Sequence, residues 1–471
     1  MTVLADALAT LERTEPPRVV GRVGTLRGLT VLVDDLPMPV GSLVSFASMR
    51  GPRRDEHGDA LRGEVVGFTR EHAVVMLLGQ AGGLSPGDAV VGEAHAPSAL
   101  AGERLLGRCV DGLGRPIDTG GPVRARTHMP LSPDPIPALR RRRITKQLLT
   151  GVRALDLMTP LGVGQRLGIF AGPGVGKSTL LGTIARRTSA DVNVIALIGE
   201  RGREVRDFVE HALGPEGLAR SVLVVATGDE SPVMRLRAAR QACAIAEYFR
   251  DRGRDVLLMM DSVTRVAHAQ RQIGLAAGEP PATKGYTPSV FAQLGLLLER
   301  AGSVEPAPGA PPCGSVTGLY TILVEGDDMT EPVADAVRGI LDGHVVLSRR
   351  LAQRAHYPAI DVLDSVSRVC DDVVTPEHAE ARRSVVRLLA AYREVEDLVQ
   401  IGAYARGTNP ETDVALDLHP RIMALLRQGR DDAAPFPASR DELLRIARDA
   451  ATATAAAKTA RSQPRPAQRT S

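Results

Sequence analysis

The sequence predicts an α/β protein built around a mostly parallel sheet, with a small antiparallel β-barrel before it and a helical domain after it. Three changes of texture along the 471 residues carry that reading. Over 150–375, unbroken apolar runs at 167–170, 192–198, 222–226, 256–260, 315–324 and 345–346 alternate with helical lengths. Strands buried on both faces read this way, because helices cover the sheet from either side. Over 18–95 the runs are shorter, evenly spaced and separated by Gly, Pro and Asp, as in a small barrel. Over 376–448, Val385, Leu388, Leu389, Tyr392, Val395 and Val399 recur at helical spacing, with Arg, Glu and Asp between them.

In chain order, residues 1–17 form a short amphipathic stretch (Val3, Leu4, Ala7, Leu8, Leu11) that stops at Pro16-Pro17. Alone it is too short for a stable helix, so it is either frayed or docked on a partner. In the barrel, Phe46 and Phe68 are the aromatics, and each sits in an apolar run as core would. A nucleic-acid-binding barrel needs exposed aromatics and a basic face, so this one reads as a structural collar. The connector, 96–149, holds a strand with a Gly/Pro-punctuated turn over 106–118. It ends in Arg140, Arg141, Arg142 and Arg143, read as a solvated linker or an interface run. The Ala/Thr/Arg/Pro/Gln composition of 449–471 is that of a disordered tail.

Composition narrows the classes. The 44% hydrophobic and 24% charged fractions are those of a globular protein, and a net charge of +3 leaves no broad footprint for nucleic acid. No run of eighteen apolar residues exists, and charges interrupt the first seventeen residues where a signal peptide would be apolar. Cys109, Cys243, Cys313 and Cys370 are far apart and read as core or incidental thiols in a reducing compartment.

The chemistry concentrates in Gly168-Ile169-Phe170-Ala171-Gly172-Pro173-Gly174-Val175-Gly176-Lys177-Ser178-Thr179. A short apolar strand runs into a glycine-rich loop, and a helix opens at about Gly176. Gly172, Gly174, Val175 and Gly176 let consecutive backbone N–H groups turn toward phosphate oxygens, with Thr179 in the first helical turn. Lys177 reaches the β- and γ-phosphates, and the Ser178 hydroxyl is placed for Mg²⁺. Lysine is otherwise rare, occurring only at Lys146, Lys284 and Lys458 among 58 basic residues. One stands where a compact ammonium suits phosphates better than a guanidinium fork.

Two more strands end in acids. Asp261 closes the run 256–260, where a nucleotide-hydrolysing site places a carboxylate for the metal shell; a helix N-cap is the plainer role. Glu200 follows 192–198 and is placed to align a water with the γ-phosphate; an exposed, salt-bridged glutamate is its plainer role.

The stretches Gly199-Glu200-Arg201-Gly202-Arg203-Glu204 and Met260-Asp261-Ser262-Val263-Thr264-Arg265 resemble the ATPases of type III secretion and flagellar export. So do 273–283, 324–335, Leu341-Asp342-Gly343-His344 and His356-Tyr357-Pro358-Ala359-Ile360-Asp361. These enzymes are relatives of the rotary ATP synthase catalytic subunit, and the resemblance runs from about 18 to 430. It implies a RecA-like core in a homohexamer with active sites between subunits, using ATP and Mg²⁺. Carried over, Lys177 and Ser178 hold phosphate and metal, Asp261 completes the metal shell, and Glu200 is the catalytic glutamate. Arg201 and Arg265 match arginines near the γ-phosphate, Tyr357 the tyrosine stacked on adenine, and Arg368 the arginine finger of a neighbouring protomer.

The resemblance further implies a stator-type regulator at 1–17, a central stalk protein, chaperone–cargo complexes at the C-terminal domain and an export gate at the inner membrane. The expected location is cytoplasmic, peripheral to that membrane's secretion apparatus, and the 278–290 loop is expected to face a central channel. Asp328-Met329-Thr330-Glu331-Pro332 resembles the injectisome branch more than the flagellar one. Gly295 stands where the family pattern has proline, which puts the local helix geometry in question. Rival readings are a rotary synthase subunit, a non-catalytic ring subunit and a Rho-type RNA translocase. Glu200 argues against the second, and balanced charge with an aromatic-poor barrel against the third.

Overall fold

The computed structural model describes residues 19–462, apart from 50, 56–57, 81, 94–96, 307–308, 310, 325, 327 and 434. The amphipathic stretch at 1–17 therefore lies outside the described residues. Six antiparallel strands close the barrel in the order Leu43–Ser48, Arg62–Phe68, Ala73–Leu77, Thr30–Asp34, Val20–Arg27 and Ala89–Gly92, the last pairing back to the first. Alternation supplies its interior: Val31, Val33, Val44, Phe46, Val75 and Val90 are all but fully buried.

Phe68 departs from the core position its apolar run suggested, with 53% of its surface exposed. The register slips between Val65 and Gly67, and the extra residue of that bulge disturbs the pairing. Phe68 then ends its strand beside the Thr69–His72 turn, past the filled interior. Glu64 and Arg237, both buried and 3.1 Å apart, clamp the barrel to the long helix Pro232–Arg250.

The central sheet runs Ile360–Ser367, Gly343–Leu347, Arg166–Ala171, Ser315–Leu323, Asp255–Asp261, Val192–Ile198, Ser221–Ala226, Cys109–Val110. All neighbours along this path are parallel except the Ile360–Ser367 edge. That edge strand escaped the sequence reading because its acidic and hydroxyl residues break the apolar run, as an edge strand with one wet face permits. The connector is likewise part of the core. Cys109–Val110 extends the sheet, and Ser98–Ala101 pairs with Thr127–Pro130.

The four arginines of the connector are not a solvated linker. Arg141 donates to the carbonyls of Ala301 (3.1 Å) and Glu299 (2.6 Å), and Arg142 to those of Cys313 and Gly314 (3.0 Å each). Arg140 caps Glu305 O, and Arg143 pairs with Asp372. Guanidinium forks satisfy carbonyls at the end of the helix Pro288–Leu298 (Glu299) and in the loops beyond it, which fixes the connector on the core. The helix Pro288–Leu298 passes unbroken through Gly295, so the missing proline leaves no kink.

Three helices follow: Pro376–Gln400, Pro410–Leu426 and Phe436–Ser462. Thr375 and Asn409 cap the first two, each with proline at the opening position. His378, buried, bonds Leu157 O at 2.9 Å and ties the first helix to the core. The last helix continues to Ser462, past 449, where a disordered tail was expected. Its extra turns are alanine-rich, and alanine has the highest helix propensity. No helix among the described residues is long and apolar enough to cross a membrane.

Candidate active site

The strand Arg166–Ala171 lies between two parallel neighbours, so its end is held rigidly. Beyond it the chain curls with Gly174 at φ +77° and Gly176 at φ +91°, conformations that side chains resist. Gly176 begins the helix Lys177–Arg187. None of the backbone N–H groups from Gly174 to Thr179 finds a hydrogen-bond partner among the described residues. Such a row of free donors at a helix N-terminus fits the oxygens of a polyphosphate.

Three charged groups converge beside this cradle. Lys177 Nζ lies 2.5 Å from Asp261 Oδ1 and 3.3 Å from Glu200 Oε1. The sheet makes this meeting: Leu197 pairs with Asp261 in register, and the next residues turn out as Gly199-Glu200. Gly199 sits at φ +72°, and a Cβ there would lie 2.8 Å from the Arg265 side chain, so glycine is required. Asp261 is buried, and Thr321 Oγ1 donates to the same Oδ1 at 2.7 Å. Burial pushes the Asp261 and Glu200 carboxyls above their usual values, while Lys177 pulls both down. For Lys177 burial works to lower the value, but Asp261 and Glu200 outweigh it and hold the ammonium above its usual range.

The donors suit Mg²⁺. Among the described residues no cluster of three or more His, Cys, Asp or Glu could cage a metal alone. Mg²⁺ is commonly held by one or two protein oxygens plus substrate phosphates and water. Exposed Ser178 and buried Asp261 are the residues that would hold it, where it would neutralise charge on the phosphates.

A cavity of about 450 Å³ adjoins the loop, lined by Gly174, Val175, Gly176, Thr179 and Tyr357 among others. A Cβ on Gly176 would lie 3.5 Å from the Tyr357 ring, so the ring covers the loop at contact distance. Gln428, Gly429 and Arg430, which the sequence reading missed, also line this cavity. Gln428 accepts from Arg153 N (2.8 Å), donates to Gly151 O (3.0 Å), and its backbone N donates to Tyr357 O (2.8 Å). Gly429, just beyond an apolar helix, marked only a turn.

The arginines divide. Arg265 packs on Gly199, and its Nε is buried without a partner among the described residues. Arg201 is 87% exposed and loosely paired with Glu204 at 3.7 Å. Arg368 is exposed at the opposite end of the sheet, where its N–H donates to Asp342 O at 2.9 Å. It is not brought to this chain's own loop.

Known families match the sheet core and the C-terminal helices. Residues 151–367 match the ATP synthase alpha/beta family, nucleotide-binding domain, and residues 374–445 the T3SS EscN ATPase C-terminal domain. The flagellum-specific ATP synthase of Treponema pallidum is 51% identical over 90% of this chain and 92% of its own. The type 3 secretion system ATPase of Xanthomonas euvesicatoria is 47% identical over 95% and 98%. The assembled ATPase EscN of the enteropathogenic E. coli type III secretion system superposes with a TM-score of 0.82 at 39% identity, over 91% of this chain and all of that one. EscN has also been solved in complex with its central stalk EscO, with a TM-score of 0.80. A phosphate cradle with its lysine between two strand-end acids, on this sheet and followed by these helices, places the chain in the ATP synthase alpha/beta family, among the ATPases of type III secretion and flagellar export.

Proposed function

We propose that the protein hydrolyses MgATP to energise protein export through a type III secretion apparatus, releasing chaperones from cargo and unfolding it. The observation that carries the chemistry is Lys177 held between Glu200 and Asp261 at the mouth of the phosphate cradle. ATP phosphates draw Lys177 off the two acids. Glu200, freed of its cation, then accepts a hydrogen bond from a water and aligns it for in-line attack on the γ-phosphorus. The Gly174–Thr179 N–H groups hold the phosphates, Tyr357 covers the base, and Arg265 faces developing charge from Gly199. Arg201, exposed and loosely paired with Glu204, turns to the γ-phosphate, and Arg368 serves the site of the next protomer.

The assembled state of EscN and its complex with EscO support a homohexamer around a central stalk for this chain. The further partners in this reading are a stator-type regulator at 1–17, chaperone–cargo complexes at the C-terminal helices and the export gate. The protein then works in the cytoplasm against the inner membrane. The injectisome branch is favoured by the 328–332 motif and the match at 374–445, whereas the 51% identical flagellar relative supports the flagellar reading. Glu200→Gln tests the mechanism: ATP binding should persist while turnover falls to background. Retained turnover would mean that another group positions the water.

A further inference from the structure

A second cavity, of about 470 Å³, lies between the edge strand Ile360–Ser367 and the helices Pro376–Gln400 and Pro410–Leu426. It shares no lining residue with the nucleotide pocket, and the two lie back to back across the same two segments. His356 and Ile360 line the second cavity, while Tyr357, Pro358 and Ala359 between them line the first. Arg427 lines the second, and its neighbour Gln428 the first.

The chemistry of this cavity is specific. Its size suits a small organic molecule. Tyr392 and His419 stack face to face with ring centroids 3.5 Å apart and planes within 5°, an aromatic section of the cavity wall beside Leu389 and Met423. Four guanidinium groups (Arg350, Arg354, Arg393, Arg427) and two carboxylates (Asp361, Glu396) line it, an excess of two positive charges. Arg350 and Arg354 hold Glu396 at 3.1 and 2.5 Å, and Arg393 is shared between Asp361 at 2.5 Å and Asp364, just outside the lining, at 3.0 Å. Arg427 makes no ion pair among the described residues.

Close to Arg427 stands His356, 3% exposed, whose Nδ1 has no hydrogen-bond partner among the described residues. Buried polar atoms are nearly always paired, so an orphaned one beside a free cation points to an absent ligand. Burial, Arg427 and His419 hold the His356 imidazole below its usual value, so at neutral pH it offers both a donor and an acceptor.

We infer that this cavity is a second ligand site, for a small organic phosphate whose dianionic head meets Arg427 and His356 and whose flat body lies on the Tyr392–His419 wall. An anionic head matches the surplus of positive charge, part of which Arg427 carries without an ion pair among the described residues. The site also regulates. Its occupant touches His356 and Arg427, whose next residues, Tyr357 and Gln428, are joined by a 2.8 Å backbone hydrogen bond and line the nucleotide pocket. Occupancy of either cavity therefore alters affinity at the other by the same factor. This goes beyond the hydrolysis proposed above.

The chain has no tryptophan, so Tyr392→Trp creates a single emitter in the wall. Phenyl phosphate, titrated into the full chain saturated with MgADP, should change that emission with one-site saturation. Adding Arg427→Gln should weaken binding about ten- to hundredfold, the loss of a charge-assisted contact. Saturating phenyl phosphate should shift MgADP affinity reciprocally, and inorganic phosphate should compete only at much higher concentration. No saturable response, an unchanged response with Arg427→Gln, an MgADP affinity unmoved by saturating phenyl phosphate, or equal potency of inorganic phosphate would overturn the proposal. Should the tryptophan variant fail to fold, calorimetry of phenyl phosphate binding to the wild-type chain and to Arg427→Gln, again with MgADP, measures the same affinities. MgADP binding measured alone tests the nucleotide site separately.

Discussion

Arg368 provides a sharp test of where catalysis is assembled. It follows the strand Ile360–Ser367 and bonds Asp342 O, while Arg166 N, at the start of the loop-bearing strand, bonds Asp342 Oδ2 at 3.0 Å. Arg368 is thus level with residue 166, and the phosphate loop leaves the strand after Ala171. Five steps along a strand at about 3.3 Å make roughly 16 Å, more than an extended arginine side chain spans. A guanidinium there can complete only a neighbour's site. Arg368→Ala should cost the assembled enzyme about 10³- to 10⁵-fold in turnover, some 4–7 kcal/mol of barrier, while leaving MgADP affinity of the protomer unchanged.

Mixing makes the geometry decisive. Glu200→Gln and Arg368→Ala are each inactive, but a ring assembled from equal parts contains interfaces where an intact Glu200 meets an intact Arg368. With random placement in a head-to-tail ring those are about a quarter of all interfaces. Phosphate release measured on the reassembled mixture should approach about a quarter of the wild-type rate per site if sites act independently. A mixture no faster than the two variants alone would place both residues in one subunit's site and refute the reasoning.

Two further outcomes follow from particular contacts. Tyr357→Ala removes the ring over the loop, and base stacking of about 1–3 kcal/mol predicts a roughly 5- to 150-fold weaker MgADP Kd by titration, with Tyr357→Phe near wild type. Unchanged affinity would mean that the ring does not cover the base. Asp156, buried, accepts from Thr150 N, Thr150 Oγ1 and Gly151 N, yet burial outweighs these bonds and pushes its pKa up to about 6 from 3.8. The folded chain then binds the extra proton, so this contribution to stability is full below pH 3.8 and is lost as pH rises through about 6. Denaturation midpoints should show Asp156→Asn gaining on wild type by about 2.4 kcal/mol between pH 4 and pH 7, and a pH-independent gap would mean that Asp156 does not titrate there.

Much of the site was legible because its parts are local. A phosphate cradle is made by consecutive residues, and Gly172 to Thr179 carry it whatever the rest of the chain does. Asp261 and Glu200 announced themselves as acids at the ends of apolar runs, since parallel strands present their C-terminal ends to ligands. The barrel was equally visible in its short, evenly spaced runs, except at Phe68, where a bulge that no residue type announces changed the outcome.

Other features are products of tertiary structure. Gln428 joins the nucleotide pocket to Gly151 across 277 positions of sequence, a contact that no local pattern encodes. Arg140 to Arg143 look like a solvent-facing run until the carbonyls they satisfy come into view. Arg368 and Glu200 carry clear local motifs, yet only strand order and direction set them at opposite ends of one sheet. The sequence by itself determines chemistry that lies within a turn or at a strand's end, because backbone geometry there depends on neighbours in the chain. Which of those chemistries meet is decided by packing, which brings together residues whose spacing in sequence holds no information about their distance.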